Sequence, residues 1–121
     1  MHPERRRKRS SYFSLALQYW LSAVAQRKRQ MAMVLADSAG LLVASSFKGP
    51  EAEELAAMAP LLSAPGGPDA PLTDAPRLPY QVHRMAIDRT SLFLCAVGDR
   101  PGRDEALRLA ESGVRRILTT H

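Results

Sequence analysis

Few side chains in the 121-residue sequence have the types and spacing that enzyme chemistry requires. The lone Cys95 lies inside an apolar run, whereas a reactive thiol needs a basic neighbour and access to solvent, so we interpret it as a core residue. Three aspartates occur at predicted strand ends or turns, where Asp bonds its own backbone: Asp37, Asp88 and Asp99. The histidines are too far apart in sequence for zinc-ligand spacing: His2, His83 and His121.

The sequence also lacks the glycine motifs that hold phosphates. Gly66 and Gly67 lie in a proline-rich stretch and not between a strand and a helix, where a phosphate-binding loop would be. We therefore predict no catalytic residue, no metal ligand and no cofactor, and a protein that is not an enzyme.

The most unusual chemical feature is a basic run near the start, Arg5, Arg6, Arg7, Lys8 and Arg9. Residues 1–30 carry eight Lys+Arg and one Glu, whereas the remaining residues carry nine basic and eleven acidic side chains, so this segment produces the net charge of +5. We predict a mobile basic tail over residues 1–9. Three roles stay open for it: weak contact with an anionic membrane, weak contact with nucleic acid, or solubility alone.

Composition favours one folded domain over residues 10–121. Hydrophobic residues make up 45% and charged residues 24%, which excludes a fully disordered chain and a collagen-like one. The single cysteine excludes an intramolecular disulfide and favours a reducing compartment. No apolar run reaches the roughly 18 to 20 residues that span a bilayer, so we expect a soluble, cytoplasmic protein.

Hydrophobic periodicity predicts three helices. The first starts at Ser10 and buries a stripe of Phe13, Leu17, Trp20, Leu21 and Val24. The second runs from Pro50 to about Ser63 with a core stripe of Leu55, Met58, Ala59 and Leu62, and a small-residue face of Ala56, Ala57 and Pro60 that would let another helix approach. The third is amphipathic, begins near Asp104, and has Gly113 on its buried stripe.

Four strands are predicted between these helices. Met31–Ala36 and Leu92–Gly98 are apolar on both alternating sets, so they belong at the centre of a sheet that is covered on both faces. Leu41–Phe47 forms a hairpin with the first of them, and Tyr80–Asp88 has the mixed pattern of an edge strand. The stretch 64–76, with four prolines and two glycines, is expected to be a flexible loop.

The order helix-strand-strand-helix-strand-strand-helix predicts an α/β (α+β) fold. Both hairpins have tight turns and a long crossover joins them, so the sheet is mainly antiparallel with four to five strands. A fifth short strand would have to lie between Pro71 and Tyr80. Since both sheet faces need cover, we predict a three-layer α/β/α sandwich.

The sequence resembles the Roadblock/dynein light chain family over about residues 10–119. The resemblance rests on VLADSAGLLVASS (Val34–Ser46), which looks like the first hairpin of that family, on ELAAMAPLL (Glu54–Leu62) in the middle helix, and on LFLCAVGD followed by an amphipathic helix. It is similar in particular to the bacterial Roadblock proteins that work with Ras-like GTPases.

The resemblance implies an adaptor or scaffold without chemistry of its own, in a signalling or motility complex. Such proteins form homodimers or heterodimers by pairing edge strands and stacking middle helices, and some regulate a small Ras-like GTPase. The corresponding dimer interface in this chain would contain Ala56, Ala57, Pro60, Leu61, Tyr80, Val82 and Arg84.

Two other classes stay open at this point. A small ligand-sensing domain of the PAS or profilin-like type has a similar order of elements and would need an internal pocket. An electrostatic membrane or nucleic-acid binder would act through the basic run.

Overall fold

The computed structural model describes residues 3–62 and 80–119 of the chain, with side chains from Phe13 onward and without that of Arg100. The elements follow the predicted order: α1 (Pro3–Arg27), β1 (Gln30–Asp37), β2 (Leu42–Ser45), α2 (Pro50–Leu62), β3 (Tyr80–Ile87), β4 (Thr90–Gly98) and α3 (Arg100–Thr119). The predicted loop 64–76 and the possible fifth strand lie outside the described residues.

The four strands form one antiparallel sheet in the order β2-β1-β4-β3. The two central strands are therefore the two that are apolar on both sets of alternating positions, and Val34 lies opposite Cys95 and Leu35 opposite Leu94. β3 occupies one edge of this sheet, as its mixed pattern indicates.

Helices cover both faces of the sheet, which confirms the three-layer sandwich. α1 and α3 pack on one face around Leu17, Leu21, Met33, Leu35, Leu94 and Val114. α2 packs on the other face against Val34, Ala36, Phe93 and Cys95 through three alanines, Ala52, Ala56 and Ala59. Because alanine is short, α2 lies close to the sheet.

Two turns fix the hairpins. In the β1–β2 turn the Asp37 carboxylate accepts hydrogen bonds from the N–H groups of Ala39 and Leu41, and Gly40 has a φ of 81°. A Cβ on Gly40 would lie 3.2 Å from the Cα of Ala57, so this turn also packs against α2. The β3–β4 turn consists of Asp88 and Arg89, whose φ angles of 48° and 70° suit a tight two-residue hairpin.

Two helices begin earlier than the sequence predicts. α1 starts at Pro3, so residues 3–9, predicted as a tail, have helical backbone. Proline suits the first turn of a helix and Arg and Lys are good helix formers, which accounts for the difference. α3 starts at Arg100 because Pro101 also fits a first turn. Within the described part of the chain, no helix is both long and apolar enough to cross a membrane.

Candidate functional site

The outer edge of β3 carries backbone groups that β4 does not use. Ile87 and Thr90 flank the two-residue turn and form a hydrogen-bonded pair. Every second residue of β3, counted from Ile87 toward the start of the strand, therefore directs its backbone N–H and C=O groups toward β4. The residues between them direct their N–H and C=O groups away from the sheet: Tyr80, Val82, Arg84 and Ala86. Of the strands described, β4 alone pairs with β3.

One end of this edge is occupied by a side chain from α3. Arg115 donates a 2.8 Å hydrogen bond from Nη1 to the carbonyl of Ala86 and a 2.7 Å hydrogen bond from Nη2 to Glu111 Oε2. Glu111 Oε1 in turn lies 2.5 Å from His83 Nε2. With respect to the described residues, the stretch of edge whose outward groups have no backbone partner strand therefore runs from Tyr80 to Arg84.

Glu111 is held in its charged form by this arrangement. Burial acts to raise the pKa of its carboxyl, but the hydrogen bond from Arg115 and the nearby His83 outweigh burial and hold that pKa below its ordinary value. The charged carboxylate fixes the Arg115 guanidinium over the end of the edge. No sequence pattern indicates this contact, because residues 86 and 115 are brought together only by the packing of α3 on β3.

The outer surface of α2 is apolar after Glu54, but it differs from the predicted face. Ala56 is fully buried against the chain's own sheet, and Met58, predicted in the core, is 41% exposed. The exposed apolar surface consists of Ala57, Met58 and Leu61, which share one side of the helix. An alanine-rich helix is apolar on several sides, so its sequence does not show which side meets the sheet.

In addition to Ala57 and Leu61, four other residues predicted at the dimer interface are at least partly exposed: Pro60, Tyr80, Val82 and Arg84. Pro60 lies within α2, which continues to Leu62, and is half-buried. Tyr80 and Val82 pack at the margin of the α2-side core. Arg84 is exposed and donates a 3.2 Å hydrogen bond to Ser91 Oγ.

The α2 side of β3 has less helical cover than the rest of the sheet. α2 packs on β1, β4 and β2, whereas α3 packs on the opposite face of β3. Among the described residues, the side chains of Tyr80, Val82 and Arg84 therefore lie beside α2 and not under it. A second helix of similar thickness could occupy this position.

The described residues offer little for covalent or metal chemistry. Burial raises the pKa of the Cys95 thiol to about 12, with a smaller opposing effect of Arg103, so the thiol stays protonated at neutral pH. No cluster of metal-binding side chains occurs in the described part of the chain. Asp37 serves as a turn residue, as its position in the sequence indicates.

A cleft of about 540 Å³ opens beside β2, between the start of α2 and the middle of α1. Its lining includes Ser14, Gln18, Val43, Phe47 and Glu53. It lies at an edge of the sheet and not inside the core, where the largest fully buried side chains fill both faces of the central strands. This placement does not favour the ligand-sensing class, which needs an internal pocket.

Comparison with known proteins gives one informative match. No protein-family model matches the chain, and no curated protein matches it either. Among solved structures the chain is similar to Myxococcus xanthus MglB, with a TM-score of 0.50 and 15% sequence identity over 87% of this chain and 86% of that one. At this identity the likeness shows the fold alone: this chain has the same fold as MglB, which agrees with the fold that its resemblance to the Roadblock family implies.

Proposed function

We propose that this chain is a non-catalytic adaptor of the bacterial Roadblock kind, which forms a homodimer in the cytoplasm and regulates a small Ras-like GTPase. The observation that carries the proposal is the edge of β3. Its backbone groups point outward from Tyr80 to Arg84 beside a sheet face that α2 leaves partly uncovered.

Two copies can pair through this edge without a change of fold. Antiparallel pairing of two β3 strands would join the four-stranded sheets into one of eight strands, and the two copies would offer each other the same surface. A long edge strand with outward N–H and C=O groups favours such pairing, since each outward group needs a hydrogen-bond partner.

The dimer would also bury the sheet face beside α2. A two-fold axis near the middle of the free edge places the two α2 helices on the same side of the joined sheet. Tyr80, Val82 and Arg84 of both copies would then lie in the space between these helices, and Ala57 and Leu61 would be near the partner. Leu61 is 74% exposed in the single chain, so its burial would stabilise the dimer.

The link to a GTPase comes from the fold together with the absence of catalytic groups among the described residues. The sequence resembles the bacterial Roadblock proteins that work with Ras-like GTPases, and the fold shared with MglB supports that resemblance. The described side chains supply no nucleophile, and we assign no arginine finger. A regulator of this type acts by binding the GTPase and changing the position of the GTPase's own loops.

The dimer is tested by the pair Arg84→Pro and Arg84→Ala. Both variants lose the exposed arginine and its bond to Ser91, but proline alone also removes the outward N–H. Light scattering after size exclusion should give twice the chain mass of 13.3 kDa for the native protein and Arg84→Ala, and the chain mass for Arg84→Pro. A folded native protein that is monomeric contradicts the proposal.

GTPase binding is tested by a pull-down with Ras-like GTPases of the source organism, loaded with GDP or with a non-hydrolysable GTP analogue. Met58→Glu should weaken binding and leave the dimer intact, because Met58 is exposed on the outer surface of α2 and is not one of the residues placed between the two copies. Met31→Glu is the matched control, since Met31 is 80% exposed at the start of β1, away from α2. A native dimer that binds none of these GTPases in either state contradicts this part of the proposal.

A further inference from the structure

α1 carries an apolar stripe that faces solvent. Leu15 and Tyr19 are 49% and 67% exposed, and they lie one turn apart on the side of α1 opposite the buried Leu17 and Leu21. A helix that served only to cover the sheet would need no large apolar residue on this side.

The same helix carries a concentrated positive charge. The basic run 5–9 lies within α1 and ends between one and two turns before Leu15. Position 8 precedes Leu15 by seven residues, close to two full turns, and therefore falls on the side of the helix that carries Leu15 and Tyr19. No Asp or Glu occurs between Glu4 and Asp37 to oppose an anionic partner.

We propose that α1 binds the surface of anionic lipid bilayers, with the basic run at the headgroups and with Leu15 and Tyr19 inserted at the interface. Basic residues followed by exposed apolar ones are the pattern of a helix that lies in the interface, and tyrosine suits the boundary between headgroups and acyl chains. Nucleic acid would satisfy the charge but would give no reason for two exposed apolar side chains one turn apart.

The inference does not depend on the proposed function, because it uses α1 and not the β3 edge. α1 and α2 lie on opposite faces of the sheet. A chain bound to a bilayer through α1 would keep the outer surface of α2 directed away from the lipid, where a protein partner can reach it.

The experiment is co-sedimentation of the full-length chain with vesicles of phosphatidylcholine alone or with about 30% phosphatidylserine. We expect binding to the anionic vesicles only, and much weaker binding at about 300 mM than at about 50 mM salt. Arg5→Gln combined with Lys8→Gln should weaken the binding about 25-fold, since each basic residue near the surface contributes about fivefold and these two positions lie nearest the side of α1 that carries Leu15 and Tyr19. Lys48→Gln combined with Arg89→Gln changes the net charge equally at exposed positions outside α1 and should have little effect.

The apolar part is tested separately. Leu15→Ser combined with Tyr19→Ser should weaken vesicle binding by about tenfold or more, whereas Met31→Ser, an exposed control, should not. Circular dichroism of each variant confirms that it is folded. Equal binding to neutral vesicles, no effect of the Arg5 and Lys8 substitutions, or no effect of the Leu15 and Tyr19 substitutions each overturns the proposal. Tighter binding to a DNA duplex than to the anionic vesicles, at the same salt concentration, also overturns the proposal.

Discussion

Replacement of Gly113 with alanine tests how α1 is held on α3. Gly113 is buried on α3 beneath the indole of Trp20, and an added Cβ would overlap the ring atoms Cε2 and Nε1 and lie 2.6 Å from Cζ2. The ring cannot move away freely, because Trp20 Nε1 donates a 3.0 Å hydrogen bond to the carbonyl of Ala110. Gly113→Ala must therefore displace either the indole or the helix.

The expected change in the free energy of unfolding is the sum of three effects, of which one is stabilising and two are destabilising. Alanine is favoured over glycine inside a helix by about 1 kcal/mol. Overpacking of a core contact costs about 1 to 3 kcal/mol, and loss of the indole hydrogen bond adds about 1 kcal/mol. We therefore expect Gly113→Ala to lower the free energy of unfolding by about 1 to 3 kcal/mol, which for a chain of this size lowers Tm by roughly 4 to 12 °C.

The assay is urea unfolding of a double-mutant cycle with Trp20→Leu, followed by circular dichroism. Removal of the indole removes the obstacle, so in that background Gly113→Ala should be neutral or stabilising by up to about 1 kcal/mol. The two substitutions should thus be strongly non-additive. If Gly113→Ala is as stable as the native protein when Trp20 is present, the indole does not fix the distance between α1 and α3.

Two further predictions concern titratable groups. Glu111 has a folded pKa below its ordinary value of 4.5, so its contribution to stability is present above that value and is lost as pH falls through the folded pKa. Glu111→Gln should therefore be about 0.5 to 1 kcal/mol less stable than the native protein at about pH 7, and the difference should shrink as pH falls below 4.5 and through the folded pKa; a deficit that stays constant as the pH is lowered contradicts this. Cys95, with a pKa of about 12, should not react with a thiol reagent in the folded protein and should react fully in urea, and labelling of the folded protein would refute its burial.

The sheet could be predicted because its central strands have an unusual pattern. A strand apolar on both sets of alternating positions needs cover on both faces of the sheet, and two packed helical layers cover the centre most completely, so the pattern favoured β1 and β4 as central neighbours. The close approach at Gly113 was also predictable, since a glycine on the buried stripe of a helix leaves room for a neighbour. The neighbour itself, the Trp20 side chain, was not predictable.

The candidate site was less predictable, for two physical reasons. α2 carries alanine at four positions, so its periodicity does not distinguish the side that meets the sheet, and Ala56 and Met58 were exchanged between core and surface. The contact of Arg115 with the Ala86 carbonyl joins residues 29 positions apart and depends on the angle at which α3 crosses β3. The sequence around either residue does not determine that crossing angle.

The contact of Arg115 also limits which dimers the edge can form. Pairing across the whole of β3 would require the Ala86 carbonyl to exchange its 2.8 Å bond from a guanidinium for a bond from a partner N–H. Charge-assisted bonds are the stronger kind, so the exchange is unfavourable while Glu111 holds Arg115 in place. The ladder between two copies is therefore expected to end before Ala86, which places the two-fold axis near Val82 and brings the two α2 helices together over the uncovered part of β3.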